Sequence, residues 1–403
     1  MKIFHELGNQ LEAAWQQQNY DERSFPALAA AALKQANLHR AIHYEDVTDW
    51  VLSGSALPPQ HDLDAKFGQP PLTVYSGRRC DIQVILWLNG STTIHRHGFS
   101  GAFQVLHGSS LHTRYAFFAR RQVTSRMLLG DLSLRGAELL HRGNVVEITN
   151  DLIHMHLYLK APSATIVVRS FREDLAGPQY DYLPPGLALD PFSKDPAQVR
   201  QLQCLRFLDR SGHRRYADLA EELIVRSDLH TAYLVLHMDR TLASPRPQRD
   251  RLLAAARRRH GAAAEELALV LQEQLRCLHL ERLASRVTDP DLGFFLTLLR
   301  NLPDRESIYA LTRLRHPGED PRQQVLKWLK ALSGVDSIGV DVEDALNFTL
   351  LDALLDGCDQ RALMERVAQV FEPDGIESQR EALLRYCERL RRTPLSPLFQ
   401  CRA

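Results

Sequence analysis

Between residues 73 and 171 the chain breaks into short runs rich in Val, Ile, Leu and aromatic residues, each closed by glycine or polar turn residues. That texture restricts the possible folds more than any other feature of the sequence. The runs lie at 80–88, 101–106, 111–118, 122–129, 145–148, 153–159 and 165–170, and Gly90, Gly108, Gly130 and Gly143 stand where turns are expected between them. About seven or eight strands at this spacing predict a β-barrel or a double-sheet jelly roll.

The flanks have a different periodicity. Leu7, Leu11, Ala14 and Trp15 recur at helical spacing, 25–36 repeats the pattern with alanine filling, and 46–52 adds a turn or two. A Pro- and Gly-bearing stretch from Gly54 to Pro71 interrupts these helices. Residues 176–198, with Pro178, Pro184, Pro185, Pro191 and Pro196, read as an extended connector. Beyond it, leucines at three- and four-residue intervals predict about ten helices in tandem, a bundle or an irregular solenoid. The expected organisation is an α+β multidomain chain: an N-terminal helical segment (1–72), a β-barrel (73–175), the connector (176–198) and an all-α domain (199–403).

Composition narrows the partners. Basic and acidic residues balance at 49 each, so net charge supplies no pull toward nucleic acid. No apolar run is long enough to span a membrane, and the N-terminus lacks a leader pattern, so a cytoplasmic protein is expected. The six cysteines form no Cys-x-x-Cys pair, which argues against a zinc knuckle or a disulfide framework.

Chemistry concentrates at Ile94-His95-Arg96-His97-Gly98-Phe99-Ser100-Gly101. Alternation along a strand sends His95 and His97 to one face and Arg96 to the other. Two imidazoles on an inward face make half of a metal site, and a histidine from a neighbouring strand completes it. Leu152-Ile153-His154-Met155-His156 offers two such histidines on one face, His154 and His156. Three neutral imidazoles leave a transition metal its full charge and open positions for substrate and dioxygen. Ligand type alone does not choose among iron, zinc, nickel and copper.

Residues 74–171 resemble the cupin superfamily, and within it the cysteine dioxygenase type of thiol dioxygenase. Gly90, then His95-Arg96-His97, then Gly101 and Gly108 follow the first cupin motif, with Gly101 where an acidic ligand usually stands. Thiol dioxygenases also lack that acid. Asn150-Asp151-Leu152-Ile153-His154 is similar to their second motif. The resemblance implies a jelly-roll barrel, iron(II) held by His95, His97 and His154, and a small thiol or amino-acid-like substrate. His156 is the alternate ligand or a partner behind the ligands. The sequence departs from that family at Ile166-Val167-Val168-Arg169-Ser170, where its His-x-Tyr pair would fall, and has no arginine clearly placed to grip a carboxylate.

Gln104, Phe99, Tyr158, Arg79 and Arg169 are the candidate substrate contacts, and Glu138 and Glu147 the acids able to approach the metal. His107 and His112 are expected to fill turns or satisfy backbone groups. The helical half is a candidate platform for a protein or carrier-bound partner. The rival expectation is a non-catalytic cupin that binds a ligand and uses the helices as its output.

Overall fold

The computed structural model describes the chain apart from residues 55, 62, 64–67, 69, 89, 172–177, 193–194, 240–246, 334–341, 372 and 401–403. Helix α1 (Lys2–Gln17) forms because Phe4, Leu7, Leu11 and Trp15 fall on one stripe, and all four are buried. Helix α2 (Phe25–Ala36) starts with Pro26 in its first turn and ends where Asn37 turns left-handed, at φ 48°. Two shorter helices follow, α3 (Leu38–Ala41) and α4 (Tyr44–Leu52), the latter opened by a reciprocal cap between His43 and Asp46.

Eleven strands are described: β1 (Pro71–Ser76), β2 (Cys80–Trp87), β3 (Ile94–Arg96), β4 (Gly101–His107), β5 (Ser109–Thr124), β6 (Met127–His141), β7 (Val145–Ile148), β8 (Ile153–Tyr158), β9 (Ser163–Ser170), β10 (Asp181–Leu183) and β11 (Leu187–Leu189). They build an antiparallel sheet in the order β1-β2-β9-β4-β7, and a ring in which β3, β8, β5, β6, β11 and β10 pair in succession and close on one another. The architecture is α+β: a closed six-stranded β-barrel and a five-stranded antiparallel sheet, with helices before them in the chain and a helical C-terminal region.

Strand alternation sorts the apolar residues into three layers. Cys80, Ile82, Val84, Ala102, Leu106, Ile166 and Val168 face the N-terminal helices and pack with Phe4, Leu11 and Phe25. Ile85, Trp87, Phe103, Val105 and Val167 face the other way, toward Leu140 of the ring. The ring has its own filling: Ile94, Ile153, Met155, Tyr182 and Ala188, with Tyr115, Phe117, Leu128 and Leu132 half-buried against them. Each of its six strands contributes, as a small barrel without a channel requires.

Three expectations are corrected. Residues 176–198 are not merely a connector, because β10 and β11 lie inside them and close the ring: Asp181 pairs with His95 and Leu187 with Leu129. Gly130 is not a turn; it lies within β6, and the β5–β6 hairpin turns at Ser125 and Arg126. The chain divides into two compact units at Leu271, inside helix α9 (Ala262–Ala284), and not near residue 199. The physical reason is that Met127, Leu129 and Leu187 leave an apolar outer patch on β6 and β11. Helices α5 (Pro196–Arg210), α6 (Tyr216–Arg226), α7 (Leu229–Asp239), α8 (Pro247–His260) and the start of α9 bury it in one core.

The second unit comprises the rest of α9 with α10 (Pro290–Asn301), α11 (Arg305–Arg315), α12 (Pro321–Ser333), α13 (Ala345–Leu355), α14 (Gln360–Val370) and α15 (Pro373–Leu390). Asp289, Asp304, Asp344 and Asp359 each accept from first-turn N–H groups of α10, α11, α13 and α14, which is why those helices begin where they do. Trp328 stacks on Phe295 within its core. The run Arg257-Arg258-Arg259 at the end of α8 is a paired helix end, with Arg257 on Glu265 and Arg258 on Glu221. Among the described residues no helix is long and apolar enough to cross a membrane.

The segment before β11 touches β6 backbone to backbone. The Gly130 N–H donates to the Gly186 carbonyl at 2.9 Å, and a Cβ at Gly186 would lie 1.8 Å from the Gly130 oxygen. Gly186→Ala should therefore lower unfolding free energy by about 1–3 kcal/mol, the usual cost of overpacking. A denaturant midpoint equal to wild type would contradict this close approach.

Candidate metal centre

Register assembles the site. β3 and β8 pair antiparallel with His95 directly opposite His154, and β8 and β5 pair with His156 opposite His112. Directly opposed residues share a face, and so do residues two apart, so one surface of these strands gathers His95, His112, His154 and His156. His97 follows just past the end of β3. All five rings are buried, with relative exposures of 3% for His95, 7% for His97, 0% for His112, 2% for His154 and 5% for His156. They face the interior between the ring and the five-stranded sheet, where the Phe103 ring lies 4.7 Å from His156 and 5.8 Å from His112.

Three nitrogens converge. The Nε2 atoms of His95 and His97 are 3.2 Å apart, and those of His97 and His154 are 2.8 Å apart. Two imidazole nitrogens bound at right angles to a divalent ion, each at 2.0–2.1 Å, lie about 2.9 Å from one another. The His95 Nδ1 donates to the Thr93 carbonyl at 2.8 Å, so in the neutral ring Nε2 carries the lone pair. The donor set thus fits a metal ion. A second group, His112, His154 and His156, also brings its nitrogens together and shares His154 with the first.

Burial keeps the rings of His95, His97, His154 and His156 neutral. It pushes the His95 pKa down to about 4, opposed by the bond to Thr93. His97, His154 and His156 fall well below the ordinary 6.5, first through desolvation and then through neighbouring histidines, with Arg169 adding to the effect on His97. Neutral imidazole is the metal-binding form.

Phe99 and Arg169 lie beside the centre. The Phe99 ring is 4.4 Å from His97, and the Arg169 guanidinium sits 4.2 Å over that phenyl ring. Tyr158 stacks on Trp87 at 4.4 Å and lies 6.0 Å from His156. Three other expectations fail on strand geometry. Gln104, expected as a substrate contact, follows the inward Phe103 and therefore projects to the opposite face of β4, where its Nε2 reaches the Gly143 carbonyl. Arg79 sits in the exposed β1–β2 turn, its guanidinium over Tyr20. Glu147 pairs with Ala102, which faces the N-terminal helices, so its exposed carboxylate points away from the histidines.

His112 is the residue that sequence reasoning missed. Its Nε2 is 3.0 Å from His154 Nδ1 and its Nδ1 is 3.1 Å from Glu138 Oε1, whereas His107 packs its ring against Tyr44. The contact with His112 holds the Glu138 carboxyl below its usual range. The only local signal was alternation along 111–118, which gives a face but no neighbour. Gly101 admits no side chain: a Cβ there would lie 2.0 Å from the Val168 carbonyl oxygen, at φ 155°.

No family model matches the chain, and no curated protein matches it. Solved structures similar to part of it include the DMSP lyase DddQ from Ruegeria pomeroyi DSS-3, at 13% identity and a TM-score of 0.24 over 44% of this chain and 95% of that one. A cupin 2 conserved barrel domain protein from Rhodopseudomonas palustris aligns at 15% identity and a TM-score of 0.21, covering 40% of this chain and 90% of that one. The polyketide cyclase RemF from Streptomyces resistomycificus aligns at 18% and 0.19, covering 36% and 94%. Likenesses of this extent say nothing about what this chain binds or transforms.

The buried rings of His95, His97, His154 and His156 make metal-free protein acid-sensitive. Each takes up a proton on unfolding that it refuses when folded, so stability is complete above the unfolded value near 6.5 and falls as pH drops toward the folded value, about 4 for His95. Each ring contributes up to about 1.4 kcal/mol per pH unit in that window. Denaturant midpoints of metal-free protein should decline steeply between pH 6.5 and 4, and a flat profile would show that the rings are already solvated.

Proposed function

We propose that the chain is a mononuclear non-haem iron(II) cupin oxygenase acting on a small thiol or amino-acid-like substrate. The observation that carries this reading is the convergence of the His95, His97 and His154 Nε2 atoms with no carboxylate among them. Iron(II), when bound, supplies a Lewis-acidic centre with positions for an anionic substrate and dioxygen together.

The chain's own residues do the rest. His95, His97 and His154 hold the ion as neutral donors, and the Thr93 carbonyl orients the His95 ring. Phe103, Trp87 and Tyr158 line the same interior with rings that keep bulk water away from the histidines. Arg169, set over Phe99 beside His97, gives the only candidate substrate contact that combines positive charge with nearness to the centre. It favours a substrate bearing a carboxylate or thiolate.

The test is metal content followed by oxygen uptake. Protein purified without added metal should carry close to one iron per chain, and oxygen consumption with a panel of small thiols should depend on iron and disappear in His97→Ala. Folded wild-type protein that takes up no iron would replace this reading with a cupin that binds a ligand without catalysis. Iron bound normally in His97→Ala would remove the ligand assignment.

A further inference from the structure

The string Glu138, His112, His154 runs from a half-exposed carboxylate to the middle of the histidine cluster. We propose that Glu138 and His112 are positioning residues that hold His154 in the tautomer whose Nε2 lone pair points at the metal. This rests on the reading of His95, His97 and His154 as ligands.

The direction of the string follows from what each atom can do. An ionised carboxylate only accepts, so the His112 Nδ1 that meets Glu138 Oε1 at 3.1 Å carries the proton. A neutral ring holds one such proton, which makes His112 Nε2 an acceptor. His154 Nδ1, 3.0 Å away, is then the donor, and its Nε2 is left as a lone pair 2.8 Å from His97 Nε2. Remove the carboxylate and the string reads equally well in reverse, with His154 protonated on Nε2 and the metal face blocked. His95 has the shorter form of the same device, an acceptor-only carbonyl at Thr93. Ligands from two strands are thus set by two oxygens that can only accept.

The competing use of these atoms is a second ion between His112, His154 and His156. Ring orientation speaks against it. His112 and His156 are stacked, 4.6 Å between centroids and 12° from parallel, so their in-plane lone pairs do not aim at a common point. His156 instead has Nδ1 3.4 Å from the Ser110 hydroxyl.

The experiment uses the full chain and two readouts. Two-bond proton–nitrogen spectra of metal-free protein, with histidines assigned by substitution, report each ring's tautomer without any metal. His154 should be protonated on Nδ1 in wild type, and in Glu138→Leu that preference should be lost; an unchanged tautomer would overturn the proposal. Cobalt(II) affinity, measured against a chromophoric chelator, should fall about 10–100-fold in Glu138→Leu. It should recover in Glu138→Gln, whose carbonyl still accepts, and stay near wild type in His156→Phe. Equal affinity in Glu138→Leu, or two ions per chain with one lost in His156→Phe, would overturn it. Wild type that binds no cobalt yet shows the set tautomer would sink the metal reading alone.

Discussion

The antiparallel register of β3, β8 and β5 is the constraint on which the rest depends. It sets His95 against His154 and His112 against His156, so histidines separated by up to 61 positions, from His95 to His156, meet on one surface. A slip of one residue would turn that surface into the apolar filling of the ring and send Ile153 and Met155 to the site. Burying five imidazoles is costly unless their nitrogens are paired or ligated, and this register lets each find a neighbour.

The layers around the histidines are shaped by the same alternation. The inner face of the five-stranded sheet presents Trp87, Phe103 and Val167, and the outer face is sealed by α1 and α2. Close backbone contact at Gly101 leaves no room for a side chain, and among the described residues the converging donors are histidines. Positive charge near the centre therefore comes from Arg169 and would come from a metal held by the histidines. Both favour anionic ligands, and the aromatic walls strengthen that preference by excluding water.

Much of the fold was legible because local periodicity carries it. Helical stripes such as Leu7-Leu11-Trp15 and β-type runs between turns each report on their own backbone. The closing strands β10 and β11 were hidden because three-residue strands flanked by proline have too little periodicity to register. The division at Leu271 was hidden for another reason: the outer faces of Met127, Leu129 and Leu187 are apolar, and nothing local says that helices from residue 196 onward will cover them.

The candidate site divides in the same way. Alternation by itself places His95 with His97 and His154 with His156, since residues two apart on a strand share a face whatever lies opposite. It does not say which face meets which. Gln104 and Glu147 lie on strands but face away from the histidines, Arg79 lies in an exposed turn, and His112 joins the cluster only through its pairing with a strand more than forty positions away. Faces are a property of a strand's own backbone; neighbours are a property of the hydrogen-bonded ladder, which forms between segments that the sequence alone does not bring together.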